Sequence, residues 1–121
     1  MTKIVNLTPH HLNVFDSEGN LIASIPPSGT VARVDTIKRV KEYVEVEGHK
    51  VPISYVTYTQ VQGLPPYPED DTLYVVSNIV YSRLKGTKWE KYLIVPDTNP
   101  DSVVRDDAGR IKGVKGFLRI D

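Results

Sequence analysis

The fold is decided by Thr72-Leu-Tyr-Val-Val-Ser-Asn-Ile-Val-Tyr-Ser-Arg-Leu84, then Lys85-Gly-Thr-Lys-Trp-Glu-Lys91 and Tyr92-Leu-Ile-Val-Pro-Asp-Thr98. Residues 73–76 are an unbroken apolar run, and residues 92–95 form a second run that Pro96 ends. Short runs of β-branched and aromatic residues predict strands that are buried on both faces. The segment between them predicts a short helix, so the stretch is a β-α-β unit.

The helix has a clear start and end in the sequence. Ser77 is predicted to be its N-cap, because a serine hydroxyl accepts a hydrogen bond from the first helical turn. Ile79, Val80 and Leu84 supply an apolar face at helical spacing, and Gly86 ends the helix. If the two strands are parallel neighbours, residues 77–78 and 96–98 leave the sheet at the same edge.

Turn-forming residues predict three hairpins in the rest of the chain. The hairpins pair residues 12–15 with 21–25, 34–46 with 51–61, and 103–105 with 110–112. In the second hairpin, residues 35–40 also fit a helical face, but the extended interpretation is favoured. Alternation along residues 51–61 predicts one wet and one buried face. Further strands are expected over residues 3–7, 30–34 and 117–120. Together these elements predict one domain over residues 1–121 of the α+β class, a mixed and mostly antiparallel β-sheet with one short β-α-β unit.

Composition restricts the function. Fifteen lysines and arginines balance fifteen aspartates and glutamates, so no overall field favours duplex nucleic acid or an anionic membrane. The absence of cysteine excludes disulfides and thiolate chemistry. No apolar run approaches the ~20 residues of a membrane span, and the N-terminus lacks the pattern of a signal peptide. We therefore expect a cytoplasmic protein with no membrane partner.

The predicted helix start is the first candidate site. Unpaired amides at Ser77 and Asn78 favour an anion such as phosphate, although simple capping explains the same residues. Arg83 and three nearby lysines give this region a local charge of +3 after Glu90 is counted. A solvated helix face explains the lysines equally well.

Histidines and carboxylates supply the other candidates. Adjacent His10 and His11 point to opposite sides of an extended chain, and the remaining histidine, His49, lies at a hairpin tip. We therefore predict no bound metal and no cofactor. His10 fits a hydrogen-bonding or acid-base group, and Asp97 fits either Mg²⁺ binding or a turn. Whether the chain is an enzyme stays open; the candidate catalytic residues are His10, His49 and Asp97.

The chain resembles a family of small proteins encoded by phages and other mobile elements that begin with an Asn-Leu-Thr-Pro-His signature. The matching segments are Asn6-Leu-Thr-Pro-His10, Pro27-Ser-Gly-Thr-Val-Ala-Arg33, Val61-Gln-Gly-Leu-Pro65, Leu73-Tyr-Val-Val-Ser77, Val95-Pro-Asp97 and Arg105-Asp-Asp-Ala-Gly-Arg110. They span most of the chain. The resemblance implies a viral or mobile-element origin and a single domain, and it implies no particular activity.

A weaker likeness is to the anti-CRISPR ring nucleases of archaeal viruses, which degrade cyclic tetra-adenylate. Gly48-His49, Leu73-Tyr-Val-Val76 and Arg83-Leu-Lys-Gly86 are similar to short segments of those proteins. In that family a helix follows the histidine, whereas residues 51–61 predict a strand here. The carboxylate expected after the Arg-Leu pair has no clear equivalent, since Glu90 is the nearest.

These observations favour a viral or mobile-element protein that binds a phosphate-bearing small molecule, such as a nucleotide signal of host defence. The proposed ligand-binding residues are Asn6, Thr8, His10, Ser77, Asn78, Arg83, Asp97, Thr98 and Arg105, with Arg33 as a further source of charge. One alternative is a non-enzymatic interaction protein, either a virion component or an inhibitor of a host factor. Another is a metal-dependent hydrolase that uses His10, His11 and Asp97. Candidate partners are thus a nucleotide, a host protein or a second copy of the chain.

Overall fold

A computed structural model describes residues 2–121 and confirms the α+β class. Within these residues the chain forms ten strands, one α-helix and one 3₁₀ turn at Glu90–Tyr92. The strands are β1 (Lys3–Asn6), β2 (Leu12–Phe15), β3 (Leu21–Ile25), β4 (Thr36–Val46), β5 (His49–Tyr58), β6 (Thr72–Val75), β7 (Leu93–Pro96), β8 (Val103–Arg105), β9 (Ile111–Val114) and β10 (Phe117–Leu118). The helix α1 spans Asn78–Leu84.

The central sheet contains the β-α-β unit. Its strand order is β1-β6-β7-β10, in which β1, β6 and β7 are parallel and β10 is antiparallel to β7. The predicted parallel pairing of β6 with β7 is confirmed, with Val75 opposite Ile94. Val75, Val76, Leu93 and Val95 are fully buried, as continuous apolar strands require. This sheet forms the core of the molecule.

Helix α1 begins where the sequence predicts. The Ser77 hydroxyl accepts a hydrogen bond from the Val80 amide at 3.4 Å, and Gly86 follows the helix with a positive φ of 84°. The prediction for the apolar face is partly wrong. Tyr81 is buried with Val80 and Leu84, whereas Ile79 is 37% exposed. The side of the helix that packs on the sheet therefore includes Tyr81 in place of Ile79.

A second sheet has the strand order β3-β2-β9-β8. The predicted hairpins β2–β3 and β8–β9 are confirmed, and β2 meets β9 in parallel at Val14 and Val114. A Cβ atom at Gly113 would collide with the carbonyl of Asn13 and the ring of Phe15. Glycine at this position therefore permits the close approach of β9 to β2.

Strands β4 and β5 pair only with each other, and we call this hairpin over residues 36–58 the arm. Its register shifts between Val40 and Glu42, which leaves Lys41 as a bulge. Its turn contains Glu47 and Gly48 with φ of 48° and 81°. The prediction of one buried face is wrong, because nearly every arm residue on both sides is exposed. The second strand also ends at Tyr58 rather than at residue 61.

Two further predictions differ from the structure. The strands lie in three separate sheets rather than in one continuous sheet. Residues 30–34 do not form a strand: Arg33 makes a single isolated bridge with Gln62, while the Ala32 amide donates to the Leu7 carbonyl at 2.9 Å. Because these two residues bond to different neighbours, no continuous ladder forms along this segment.

Candidate functional site at the strand edge

The parallel strands of the central sheet end at one edge. The Leu7 amide donates to the Val75 carbonyl at 3.0 Å, and the Val76 amide donates to the Ile94 carbonyl at 3.0 Å. The segments that follow β1, β6 and β7 therefore leave the sheet side by side. Thr8, Ser77 and Asp97 lie in these segments, so the structure brings three parts of the predicted site to the same edge.

Asn6 has a structural task at this edge. Its side chain is 1% exposed and uses its full hydrogen-bonding capacity within the protein. The amide group donates to the carbonyls of His10 at 2.7 Å and Ile25 at 3.2 Å. Its oxygen accepts from the Thr8 amide at 2.9 Å and the Thr8 hydroxyl at 2.6 Å. Asn6 thus holds the Asn-Leu-Thr-Pro-His turn in shape and joins it to β3, which leaves no group free for a ligand.

A cleft of about 400 Å³ opens beside this turn, between the end of β7 and the second sheet. Its polar side chains are His10, His11, Asn13, Thr98 and Lys112, and the two histidines are exposed. Its apolar lining includes Leu12, Pro96, Ile111 and Val114. The cleft therefore gathers hydrogen-bonding groups and one lysine over an apolar floor.

Sequence reasoning had placed His10 and Thr98 in the site but missed Lys112. Lys112 lies on β9, whose parallel contact with β2 brings it toward the histidines. The Asn13 side chain donates to the Lys112 carbonyl at 3.1 Å, which fixes this part of β9. No short motif in the sequence encodes that long-range pairing.

The predicted arginines do not gather at the edge. Arg83 lies in the last turn of α1, so the expectation of basic residues beside the helix start is wrong. Arg33 contacts Asp35 at 4.0 Å on the bridge near the base of the arm. Arg105 ends β8 and donates to the Gly109 carbonyl at 2.7 Å, within its own hairpin. Lys112 is therefore the basic residue that lines the cleft.

Three other basic residues line a different cleft. A cavity of about 690 Å³ is bordered by Lys88, Lys91 and Arg119, together with the acidic residues Glu90 and Asp121. It lies near the end of α1 and the beginning of β7, opposite the edge where the strands terminate. Positive and negative groups are mixed there, so this cavity has no clear preference for anions.

The two remaining catalytic candidates lie in local structure. Asp97 accepts hydrogen bonds from the amide and side chain of Asn99 at 3.0 and 2.7 Å, which is the geometry of a turn. His49 begins β5 at the far end of the arm and is not brought to the strand edge. A strand follows His49, unlike the helix expected from the ring-nuclease likeness. Across residues 2–121 no three histidine, aspartate or glutamate side chains come together as a metal site would require.

Electrostatic shifts lie outside this edge. Hydrogen bonds, chiefly from the Asn20 amide, lower the pKa of Asp16 in the β2–β3 turn. In the arm, the Tyr55 hydroxyl donates to the Glu42 carboxylate, and this bond raises the pKa of Tyr55. Both shifts follow from hydrogen bonds that stabilise a hairpin.

No family model, curated protein or solved structure matches the chain. Within residues 2–121, no helix has the length and apolar character needed to cross a lipid bilayer.

Proposed function

We propose that this chain is a protein-interaction protein of a virus or mobile element, acting in the host cytoplasm through its arm. The single observation that carries the proposal is the exposure of ten large apolar side chains on the arm. They are Ile37, Val40, Tyr43, Val44, Val46, Val51, Ile53, Tyr55, Val56 and Tyr58, each 39–60% exposed. These side chains lie on both faces of the arm, and large exposed apolar surfaces mark interaction sites in natural proteins.

Energetics support the same conclusion. An isolated two-stranded hairpin is at best marginally stable in water, because one strand pair buries little apolar surface. Within residues 2–121, strands β4 and β5 pair with no strand outside the arm. A protein that covers the arm would supply the apolar burial that an isolated hairpin lacks.

The resemblance to phage and mobile-element proteins supports the origin in this proposal. The roles that fit it are a virion component or an inhibitor of a host protein, because both act by surface contact.

Site-specific crosslinking tests the proposal. The sequence contains no cysteine, so a single introduced thiol can carry a photo-crosslinker. We expect His49→Cys, on the arm, to crosslink to protein, whereas Ser17→Cys in the β2–β3 turn should not. The arm crosslinks should disappear when Val44, Val51 and Ile53 are replaced by threonine. Equal crosslinking at both positions, or none from the arm, would contradict an interaction role.

A second candidate function is binding of a phosphate-bearing small molecule, such as a nucleotide signal of host defence. The observation that favours it is the cleft where Lys112 lies with His10, His11 and Thr98. A lysine supplies charge to a phosphate, and hydroxyl and imidazole groups supply hydrogen bonds. The proposed position of the ligand is therefore this cleft rather than the helix start at Ser77.

Thermal shift measurements test the second candidate. A nucleotide at a hundredfold excess over its dissociation constant should stabilise the protein by about 2.7 kcal/mol. Lys112→Gln should reduce the shift, whereas Lys115→Gln, an exposed lysine outside the cleft lining, should leave it unchanged. Added salt should weaken binding, because exposed phosphate contacts are screened. Unchanged melting with mono-, di- and cyclic oligonucleotides would remove this candidate.

A further inference from the structure

One side of the arm is more aliphatic than the other. The pairing register puts β4 residues 37, 39, 42, 44 and 46 on the same side as β5 residues 49, 51, 53, 55 and 57. Near the turn, this side presents Val44 directly opposite Val51, flanked by Val46 and Ile53. These four side chains are 39–50% exposed. We call this side the aliphatic face.

Contacts within the arm hold the middle of the aliphatic face in place. The Tyr55 hydroxyl donates to the Glu42 carboxylate across the strands. The Lys41 ammonium lies 5.0 Å from the centre of the Tyr55 ring, within the range of a cation–π contact. These contacts restrict the side chains in the middle of the aliphatic face, which lowers the entropy cost of association.

The surface area of the chain fits an arm that is covered in an assembly. The chain has 8464 Å² of accessible surface at 13.6 kDa. A compact monomer of that mass exposes about 6,600 Å², so the excess is roughly 1,900 Å². A standard protein interface buries about 800 Å² on each partner. The excess is large enough for one such interface on every copy.

Charge is divided along the arm in a way that selects a partner. The half nearest the body contains Lys38, Arg39 and Lys41 and has a net charge of +3. The half nearest the turn contains Glu42, Glu45, Glu47 and Lys50, a net charge of −2 with histidine neutral. Two such arms repel if they align in parallel and attract if they align in opposite directions.

We propose that the partner of the arm is the arm of a second copy, packed through the aliphatic face and antiparallel about a twofold axis. Each turn then lies near the other body, and Arg39 of each copy approaches the acidic turn of its partner. The arm extends about 35 Å at ~3.4 Å per residue, so the contact spans its whole length. This inference rests on the proposed interaction function and assigns its partner.

Sedimentation velocity of the purified full chain tests the association. We expect a dimer at micromolar concentration. Replacing Val44, Val51 and Ile53 with threonine should weaken dimerisation by about tenfold or more, because apolar contact is lost while β-branching is kept. The matched control replaces Val40 and Val56 on the opposite side, where exposure is similar, and should leave the dimer intact.

Charge reversal tests the antiparallel orientation. Arg39→Glu and Glu47→Lys should each weaken the dimer, since each places like charges opposite one another. An equimolar mixture of the two variants should form a heterodimer tighter than either parent, because one of its two contacts is the native Arg39–Glu47 pair and the other pairs the two substituted residues with opposite charges. The double variant in a single chain should recover dimerisation, because both contacts are reversed and attractive. Failure of that recovery would overturn the orientation.

Other outcomes are equally decisive. Fluorescence of the buried Trp89 checks that every variant keeps its folded body. A monomeric wild type, or a dimer that survives the threonine substitutions, would overturn the second copy as partner. A monomer whose arm still crosslinks through the aliphatic face to a different protein would overturn this inference and leave the proposed function intact. Absence of all arm crosslinks would overturn both.

Discussion

The central sheet and the arm use similar residues with opposite results. Val75 and Val76 are completely buried in the central sheet, whereas Val44 and Val51 are 43% and 40% exposed in the arm. Helix α1 packs on the central sheet, whereas in the described chain β4 and β5 pair only with each other and nearly all of their residues are exposed. Strand-forming side chains therefore specify extended backbone without specifying what covers it.

The order of residues distinguishes the two regions more clearly than their composition. Residues 73–76 are continuously apolar, as in strands that are buried on both faces. Strand β4 instead mixes charged and apolar residues from Lys38 to Val46. The first pattern indicates a core strand, and the second indicates a surface that can meet both water and protein.

The largest expected effect compares equivalent truncations in the two regions. Leu93→Ala should lower the free energy of unfolding by about 2–5 kcal/mol, because it leaves a cavity in the buried sheet. Ile53→Ala should cost roughly 0.5 kcal/mol or less when the protein is dilute enough to be monomeric, because the side chain is already exposed. Urea unfolding followed by Trp89 fluorescence measures both. Similar losses would show that the arm belongs to the core.

A second comparison uses two asparagines. Asn6→Ala should cost about 1–3 kcal/mol, since it leaves buried partners without hydrogen bonds. Asn13→Ala should cost less, because its bonds to Lys112 and Ser24 are exposed to water. Thermal unfolding distinguishes them. Equal effects would contradict a structural task for Asn6.

Loss of the helix cap should have a smaller effect. Ser77→Ala removes the acceptor for the Val80 amide and should cost about 1 kcal/mol. Asn78→Ala is the control, because its side chain makes no hydrogen bond to any part of residues 2–121. Chemical denaturation measures the difference. A larger loss at Asn78 would reveal a contact that capping does not explain.

Removing the arm should change the stability of the body even less. Replacement of residues 37–57 by a short glycine-serine turn should alter the unfolding free energy by under about 0.5 kcal/mol in dilute protein. The Asp35 carbonyl, which accepts from the Thr59 amide at 2.9 Å, remains to close the base. Differential scanning calorimetry tests this. A collapse of the body would contradict its independence from the arm.

The smallest effect concerns pH. Asp16 has a lowered pKa in the folded protein, so its carboxylate stabilises the fold above the pKa of the unfolded chain. This contribution disappears as the pH falls through the folded pKa. The melting temperature of wild type should therefore exceed that of Asp16→Asn slightly at neutral pH, and the difference should vanish in acid. A difference that persists in acid would have another cause.

The sequence predicted the local elements well. The continuous runs of the β-α-β unit, Ser77 before the helix and the turn at residues 16–20 all encode structure through near neighbours. The exposure of both faces of the arm was not predictable in the same way. The alternation of polar and apolar residues along 51–61 indicates that the two faces of the strand differ. It does not indicate whether another layer of the fold covers one of these faces.

The candidate site was predictable only in part. Parallel strands place Thr8, Ser77 and Asp97 at one edge, and that geometry follows from the order of elements. The participation of Lys112 depends on β9 meeting β2, a contact between residues about a hundred positions apart. The structural role of Asn6 was not predictable either, because an asparagine at the end of a strand can bind a ligand or hydrogen-bond to its own turn equally well.

The bulge at Lys41 and the proline at position 52 affect how large an assembly can grow. Both strands of the arm have an open edge, and such edges can recruit further strands into fibres. The bulge distorts the backbone on one edge, and Pro52 lacks an amide hydrogen on the other. Lateral growth is thus discouraged along both edges while the faces stay accessible. The exposed apolar side chains of the arm can thus bind a partner, while its backbone edges disfavour the addition of further strands. This combination favours closed complexes of limited size.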